Sequence, residues 1–205
     1  LFRQVLIEIA RYPGLVEPLK DEVTEQLSAH GVSVAATSGM ALLDSVMKES
    51  QRQSSGLGML VLERIASNDT ALPDGRVIPR GSHIMVDATG LWNPAVYPSP
   101  DQFDGHRFLR RSQDGDKSSQ FVQSSPDYNV FGGGRHICPG RFFASNELKL
   151  ALAYVLLKYE IRLAKGCEPK NPQHGFYGMV DPSTQLEVRR KDGRADGGVT
   201  ARLFA

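Results

Sequence analysis

The sequence predicts a fold that is mainly α with small β-sheets, and three observations carry that reading. Apolar residues recur at helical spacing in the first quarter of the chain: Leu1, Phe2, Val5, Leu6 and Ile9, then Val16, Leu19, Val23 and Leu27, then Met40, Leu43, Val46 and Met47. Past Gly140 another stretch begins at Phe142 and is apolar on nearly every face from Leu150 to Leu157, the mark of a deeply buried helix. Between these, short strand-like runs gather around strong turn signals.

Taken in order, the first helix is broken by Pro13 and Gly14. Its apolar spacing already includes Leu1, and no initiator methionine precedes it, so the chain is expected to open inside a helix and to be a fragment of a longer protein. The third helical stretch, Met40 to Arg52, sets Glu49 and Arg52 three positions apart, where a carboxylate and a guanidinium can pair. Most such pairs are solvated and contribute little. Asp74-Gly75 and Pro79-Arg80-Gly81 are turns, and Val77, Ile78, Ile84 and Val86 around them read as a hairpin in a small mixed sheet. Trp92 is expected to be a packing residue. The polar stretch Arg110 to Ser125 reads as a solvated loop. Tyr159, Ile161 and Leu163 alternate with Glu160 and Arg162, predicting a strand that Leu186 and Val188 close. Residues 1–190 form one portion and 191–205 a frayed tail.

Composition excludes several classes. At 205 residues, 40% hydrophobic and 23% charged, the chain is an ordinary globular protein. Lys plus Arg number 24 against 23 Asp plus Glu, which gives no basic surface for a nucleic acid. Cys138 and Cys167 are the two cysteines, and neither lies in a Cys-x-x-Cys spacing, so a disulfide framework or zinc site is not expected and a reducing compartment fits. No apolar run reaches the ~20 residues of a membrane span, and the first residues lack the order of a signal peptide.

The stretch that invites chemistry is Phe131 to Arg141, Phe-Gly-Gly-Gly-Arg-His-Ile-Cys-Pro-Gly-Arg. Consecutive glycines let a backbone fold tightly beneath a flat ligand. Cys138 precedes Pro139, Gly140 and a helix start, where unpaired N–H groups and a partial positive charge favour a thiolate. Taken alone, a single cysteine is more often a small buried hydrophobe and a glycine run a flexible loop. A phosphate loop is excluded because no Gly-Lys-Ser or Gly-Lys-Thr follows.

Phe131, Gly134, His136, Cys138 and Gly140 fit the pattern Phe-x-x-Gly-x-(Arg or His)-x-Cys-x-Gly, which resembles the haem-binding signature of the cytochrome P450 family. His136, with Arg135 beside it, stands where most of that family has an arginine on a haem propionate; fungal members often read Gly-Arg-His there. Asp-Ser-Val-Met-Lys-Glu-Ser-Gln-Arg resembles the family's Glu-x-x-Arg helix. Phe103 to Phe108 resembles the later Phe-x-x-x-Arg-Phe segment, with Gly105 replacing a frequent proline and His106 a frequent acid. The segment from Leu91 to Phe103 resembles the proline-rich meander of fungal members.

The resemblance implies the C-terminal part of a P450 fold, with Cys138 as axial ligand of haem b. It implies that Glu49, Arg52 and Arg107 form a structural triad holding the haem loop, and that Arg64 contacts a propionate. Leu57, Met59, Leu60, Phe176 and Tyr177 would line the substrate cavity. It further implies a monooxygenase that inserts one atom of O2 into a small apolar substrate, such as a terpenoid or other fungal secondary metabolite. Electrons would come from NADPH through a flavoprotein reductase, and intact relatives usually sit at the endoplasmic-reticulum membrane. The alternative is a truncated, non-catalytic relic or interaction protein lacking the oxygen-activating helix. Its first symptom would be exposed apolar surface.

Overall fold

Helix α4 (Ala41–Gln53) is buried along most of its length, with α1 (Phe2–Arg11), α2 (Val16–His30) and α5 (Arg107–Gln113) packed against it. The computed structural model describes residues 1–54, 60–170, 173–174, 177–178 and 181–191. The other helices are α3 (Val34–Gly39) and α6 (Arg141–Lys158). One apolar cluster joins Val5 and Ile9 of α1, Leu19, Val23 and Leu27 of α2, Leu43, Val46 and Met47 of α4, and Leu152, Ala153 and Leu156 of α6. Each of the larger of these side chains contributes roughly 1.5–3 kcal/mol by leaving water. A second cluster, of Ala88, Leu91, Tyr97, Phe108 and Tyr128, packs the other end, with Trp92 at its margin.

Two side chains splice neighbouring helices together. Glu22 of α2 caps the start of α4, accepting from the amides of Leu42 at 2.6 Å and Leu43 at 2.9 Å, while burial pushes its carboxyl above the usual carboxylate range. Ser45 of α4 does the same for α5. Its Oγ accepts from the amides of Phe108 and Leu109 and donates to the carbonyl of Gly105 at 2.7 Å. That contact brings α4 and the Gly105 backbone so close that a side chain has no room. A Cβ there would lie 2.9 Å from Leu15 Cδ1 and 3.1 Å from Val46 Cγ2. Gly105→Ala is therefore expected to destabilise the chain by about 1–3 kcal/mol, read as a lower urea midpoint at unchanged slope.

The strands are β1 (Leu60–Ile65), β2 (Thr70–Ala71), β3 (Val77–Ile78), β4 (His83–Asp87), β5 (Tyr159–Leu163), β6 (Gln173–His174), β7 (Tyr177–Gly178) and β8 (Leu186–Arg190). The turn signals at residues 74–81 are where the sequence puts them, but the small mixed sheet is not formed among the described residues. Instead β1 pairs with β4 and β2 with β3 in separate antiparallel ladders, because the second hairpin is nested inside the loop of the first. β1 and β4 pair Leu60 with Asp87 and Arg64 with Ile84, with a register shift between Val61 and Arg64. The predicted terminal strands pair as β5 with β8, from Tyr159 opposite Arg190 to Leu163 opposite Leu186.

Two further expectations change. Residues 110–125 are a solvated loop only in part: Ser112 to Gly115, Lys117, Gln120 and Gln123 are exposed, but α5 runs to Gln113, Ser119 is buried and Phe121 is fully buried in the main cluster. Helix α6 is deeply buried on one side alone. Leu152, Ala153 and Leu156 are enclosed, whereas Leu148, Leu150, Val155 and Leu157 are half-buried, and Phe142 and Phe143 are 51% and 72% exposed. A helix apolar all round has no intrinsic preference for which face is covered, and the packing of α1, α2 and α3 covers one.

Candidate functional site

The glycine loop has the backbone its sequence demands. Gly132 and Gly134 take φ of +81° and +58°, conformations that residues with a Cβ rarely adopt. A single 3₁₀ turn, Gly134–His136, follows and delivers the chain to Cys138. Both main-chain groups of Cys138 are held. Its amide donates to the carbonyl of Phe131 at 2.8 Å, and its carbonyl accepts from Arg141 Nη1 at 2.8 Å. Arg141 also donates through Nε to the carbonyl of Val122 at 3.1 Å. Phe131 meets the buried Phe121 edge to face, with ring centroids 5.2 Å apart. Cys138 is half-buried, Arg135 and His136 stand exposed, and α6 begins at Arg141, three residues past Cys138, with a Gly140 N-cap that offers no side-chain acceptor.

The loop suits a flat apolar cofactor. Added Cβ atoms at Gly133, Gly134 and Gly140 would meet nothing within 4 Å, so the main chain is bare there and a planar group can approach it closely. The donor is one thiol, which suits the thiolate ligation of haem iron.

Glu49, Arg52 and Arg107 come together as one buried cluster. The Glu49 carboxylate, fully enclosed, receives Arg52 Nε and Nη2 at 2.8 Å each and Arg107 Nε at 3.1 Å to both oxygens. The remaining guanidinium N–H groups go to main-chain carbonyls. Arg52 donates to Leu91 and Pro100, both at 2.7 Å, and Arg107 to Pro98 at 2.7 Å, Gln102 at 3.2 Å and Ser99 at 3.3 Å. The triad therefore grips residues 91–102 directly. None of these bonds reaches residues 131–141.

A second, unforeseen set of side chains holds the approach to the cysteine loop. Lys48, 1% exposed, donates to the carbonyls of Ser118 at 2.7 Å, Gln120 at 2.8 Å and Gln123 at 3.2 Å. Asp44 accepts the Phe121 amide at 2.6 Å and pairs with Lys149 of α6 at 2.6 Å. Tyr128, its phenol pushed well above its ordinary pKa by burial, donates to Gln51 Oε1 at 2.8 Å and to the carbonyl of Lys48 at 3.2 Å. The available signal was a charged residue, Lys48, sitting between Met47 and Glu49 on a helix whose neighbours are all buried.

The remaining candidates are scattered. Arg64 is exposed and donates to its neighbour's carbonyl, that of Glu63, at 2.7 Å. Leu57, Met59 and Phe176 lie outside the described residues, and Leu60 and Tyr177 are placed only by backbone, opposite Asp87 and His174. A groove of about 1020 Å³ lies between the end of α1 and the start of α5 and includes no residue of the cysteine loop. It is open to solvent beside the stacked rings of Tyr12 and Phe103, and we assign it no part in the cofactor site. Cys167 accepts the Gln185 amide at 3.3 Å in a distant turn.

With this fold and loop in place, the comparison with protein families has one outcome: the cytochrome P450 model matches residues 2–189, and the chain belongs to that family. The family implies haem as cofactor, and the chain carries the C-terminal part of the fold. Among curated relatives it is 41% identical over 195 residues to the cytochrome P450 monooxygenase ntnM of Nectria sp., covering 94% of this chain and 38% of the relative. It is 39% identical over 199 residues to olcG of Penicillium canescens, covering 96% and 40%, and 41% identical over 197 residues to sdnQ of Sordaria araneosa, covering 94% and 36%. The chain thus spans about two fifths of the length of these relatives. Among the described residues, no helix is long and apolar enough to cross a membrane.

Proposed function

We propose that residues 1–190 are the haem-binding portion of a haem-thiolate monooxygenase in which Cys138 ligates the iron of haem b. The observation that carries this reading is the fixing of Cys138 through both its amide and its carbonyl, on a loop whose glycines leave the main chain bare. When bound, the haem supplies oxygen activation, which a thiolate ligand favours by donating electron density.

The chain's own groups prepare the ligand. The α6 N-terminus, with no side-chain acceptor at Gly140, offers its partial positive charge to the thiolate. Arg141 holds the loop by two carbonyls and adds a cation close by. Arg135, His136 and Arg64 are the proposed propionate partners, with His136 donating a weaker hydrogen bond when neutral than an arginine would. Glu49, Arg52 and Arg107 act structurally, by fixing residues 91–102 against α4. The relatives' names, cytochrome P450 monooxygenases of fungi, support a monooxygenase; its proposed substrate is a small apolar molecule such as a terpenoid or other fungal secondary metabolite, with Leu57, Met59, Leu60, Phe176 and Tyr177 as proposed lining. NADPH, through a flavoprotein reductase, is the proposed electron source.

The test is a reduced carbon-monoxide difference spectrum of the 205-residue chain reconstituted with haem. The red-shifted thiolate Soret band is the expected result. Its absence would favour the non-catalytic alternative for this chain.

A further inference from the structure

The buried ammonium of Lys48 has no place in the triad and, among the described residues, no carboxylate within ion-pair distance, yet it is enclosed more completely than Arg107. Its three N–H groups are matched by three main-chain carbonyls, those of Ser118, Gln120 and Gln123. Its nitrogen also lies 4.1 Å from the ring centroid of Tyr128 and 5.1 Å from that of Phe108. Carbonyl dipoles and ring faces both favour a cation, and a neutral amine, with two N–H groups, would leave one carbonyl unmatched.

The carbonyls it grips flank the two residues on which the cysteine loop rests. Phe121, between Gln120 and Gln123, supports the ring of Phe131, whose carbonyl receives the Cys138 amide. Val122 accepts from Arg141, which in turn bonds the Cys138 carbonyl. A displacement of residues 120–123 therefore reaches the amide and the carbonyl of Cys138 by separate routes, each of two contacts.

We propose that Lys48, in its charged form, is a positioning residue for the Cys138 loop, clamping residues 118–123 so that Phe121 and Arg141 hold the cysteine. This rests on the assignment of Cys138 as the ligand only for its consequence; the clamp itself is a property of the chain. Burial lowers the Lys48 pKa to about 7, so the clamp sits close to its own release point. The charged groups facing it are few. Asp44 on α4 and Asp116 before the gripped turn favour the cation, Arg111 on α5 opposes it, and Asp44 and Asp116 are already engaged with Lys149 and Arg111.

The test is amide hydrogen exchange of the 205-residue chain, normalised to intrinsic rates, on either side of about pH 7. Exchange of residues 118–134 is expected to accelerate about tenfold or more as Lys48 loses its proton, with the amides of α2 unchanged. Lys48→Met should show the fast state at all pH, and Lys48→Arg should remove the pH step by keeping the charge. In the haem-loaded chain, Lys48→Met should lower the share of the thiolate Soret band. A wild-type chain with no step, or a Met variant that loosens α2 as much as 118–134, would overturn the proposal. The exchange result stands whether or not the chain takes up haem, so it is separable from the ligand assignment.

Discussion

Glu49→Ala is expected to cost about 3–5 kcal/mol, a large fraction of the roughly 5–15 kcal/mol by which a whole domain is stable. The carboxylate is fully enclosed and supplies the one negative charge shared by two guanidinium groups, that of Arg52 fully enclosed and that of Arg107 nearly so. Removing it leaves two like charges facing each other with only carbonyl dipoles for compensation. The Asp104 amide, which donates to Glu49 Oε1 at 3.2 Å, loses its acceptor as well. The exposed pair between Arg162 and Glu187 makes a control of the same chemistry, and Glu187→Ala there should change stability by at most about 1 kcal/mol. Urea unfolding followed by circular dichroism measures both. Comparable losses for the two variants would mean that the Glu49 cluster contributes no more than a surface pair.

The second large effect is all-or-none. Cys138→Ala should abolish the thiolate Soret band of the reduced carbon-monoxide adduct, because alanine offers no donor and the chain's other thiol lies on a different element. Cys167→Ala should leave the band intact, since that sulfur only accepts the Gln185 amide in the turn before β8. The substitutions are close in size, so the pair controls for packing. Equal loss of the band in both would sink the assignment of Cys138.

Much of this arrangement was readable in the sequence, for specific reasons. The pairing of Glu49 with Arg52 follows from helical spacing, and Arg107 follows from the resemblance of the segment that carries it. The helices were legible wherever one face was apolar, as in α2, and the loop glycines were legible because positive φ leaves few alternatives to glycine. What stayed hidden was whatever depends on main-chain acceptors. Every residue carries a carbonyl, so nothing in Leu91, Pro98 and Pro100, or in Ser118, Gln120 and Gln123, marks them as partners of buried cations. The polar composition of 110–125 actively misled, since side chains that face water conceal a backbone that faces inward. Helix α3 carried too short a pattern to register, although Ser33 caps it through the Ala36 amide.

The use of carbonyls by Arg52, Arg107 and Lys48 also bears on how such a chain can diverge. A grip on main-chain oxygen is indifferent to which side chain that residue bears, provided the backbone keeps its path. The gripped segments, 91–102 and 118–123, are therefore free to accumulate substitutions at their outward positions, while the three cations and Glu49 are not. Mutational scanning of the chain would then show tolerance and intolerance interleaved in space, with variable residues lying in direct contact with immutable ones.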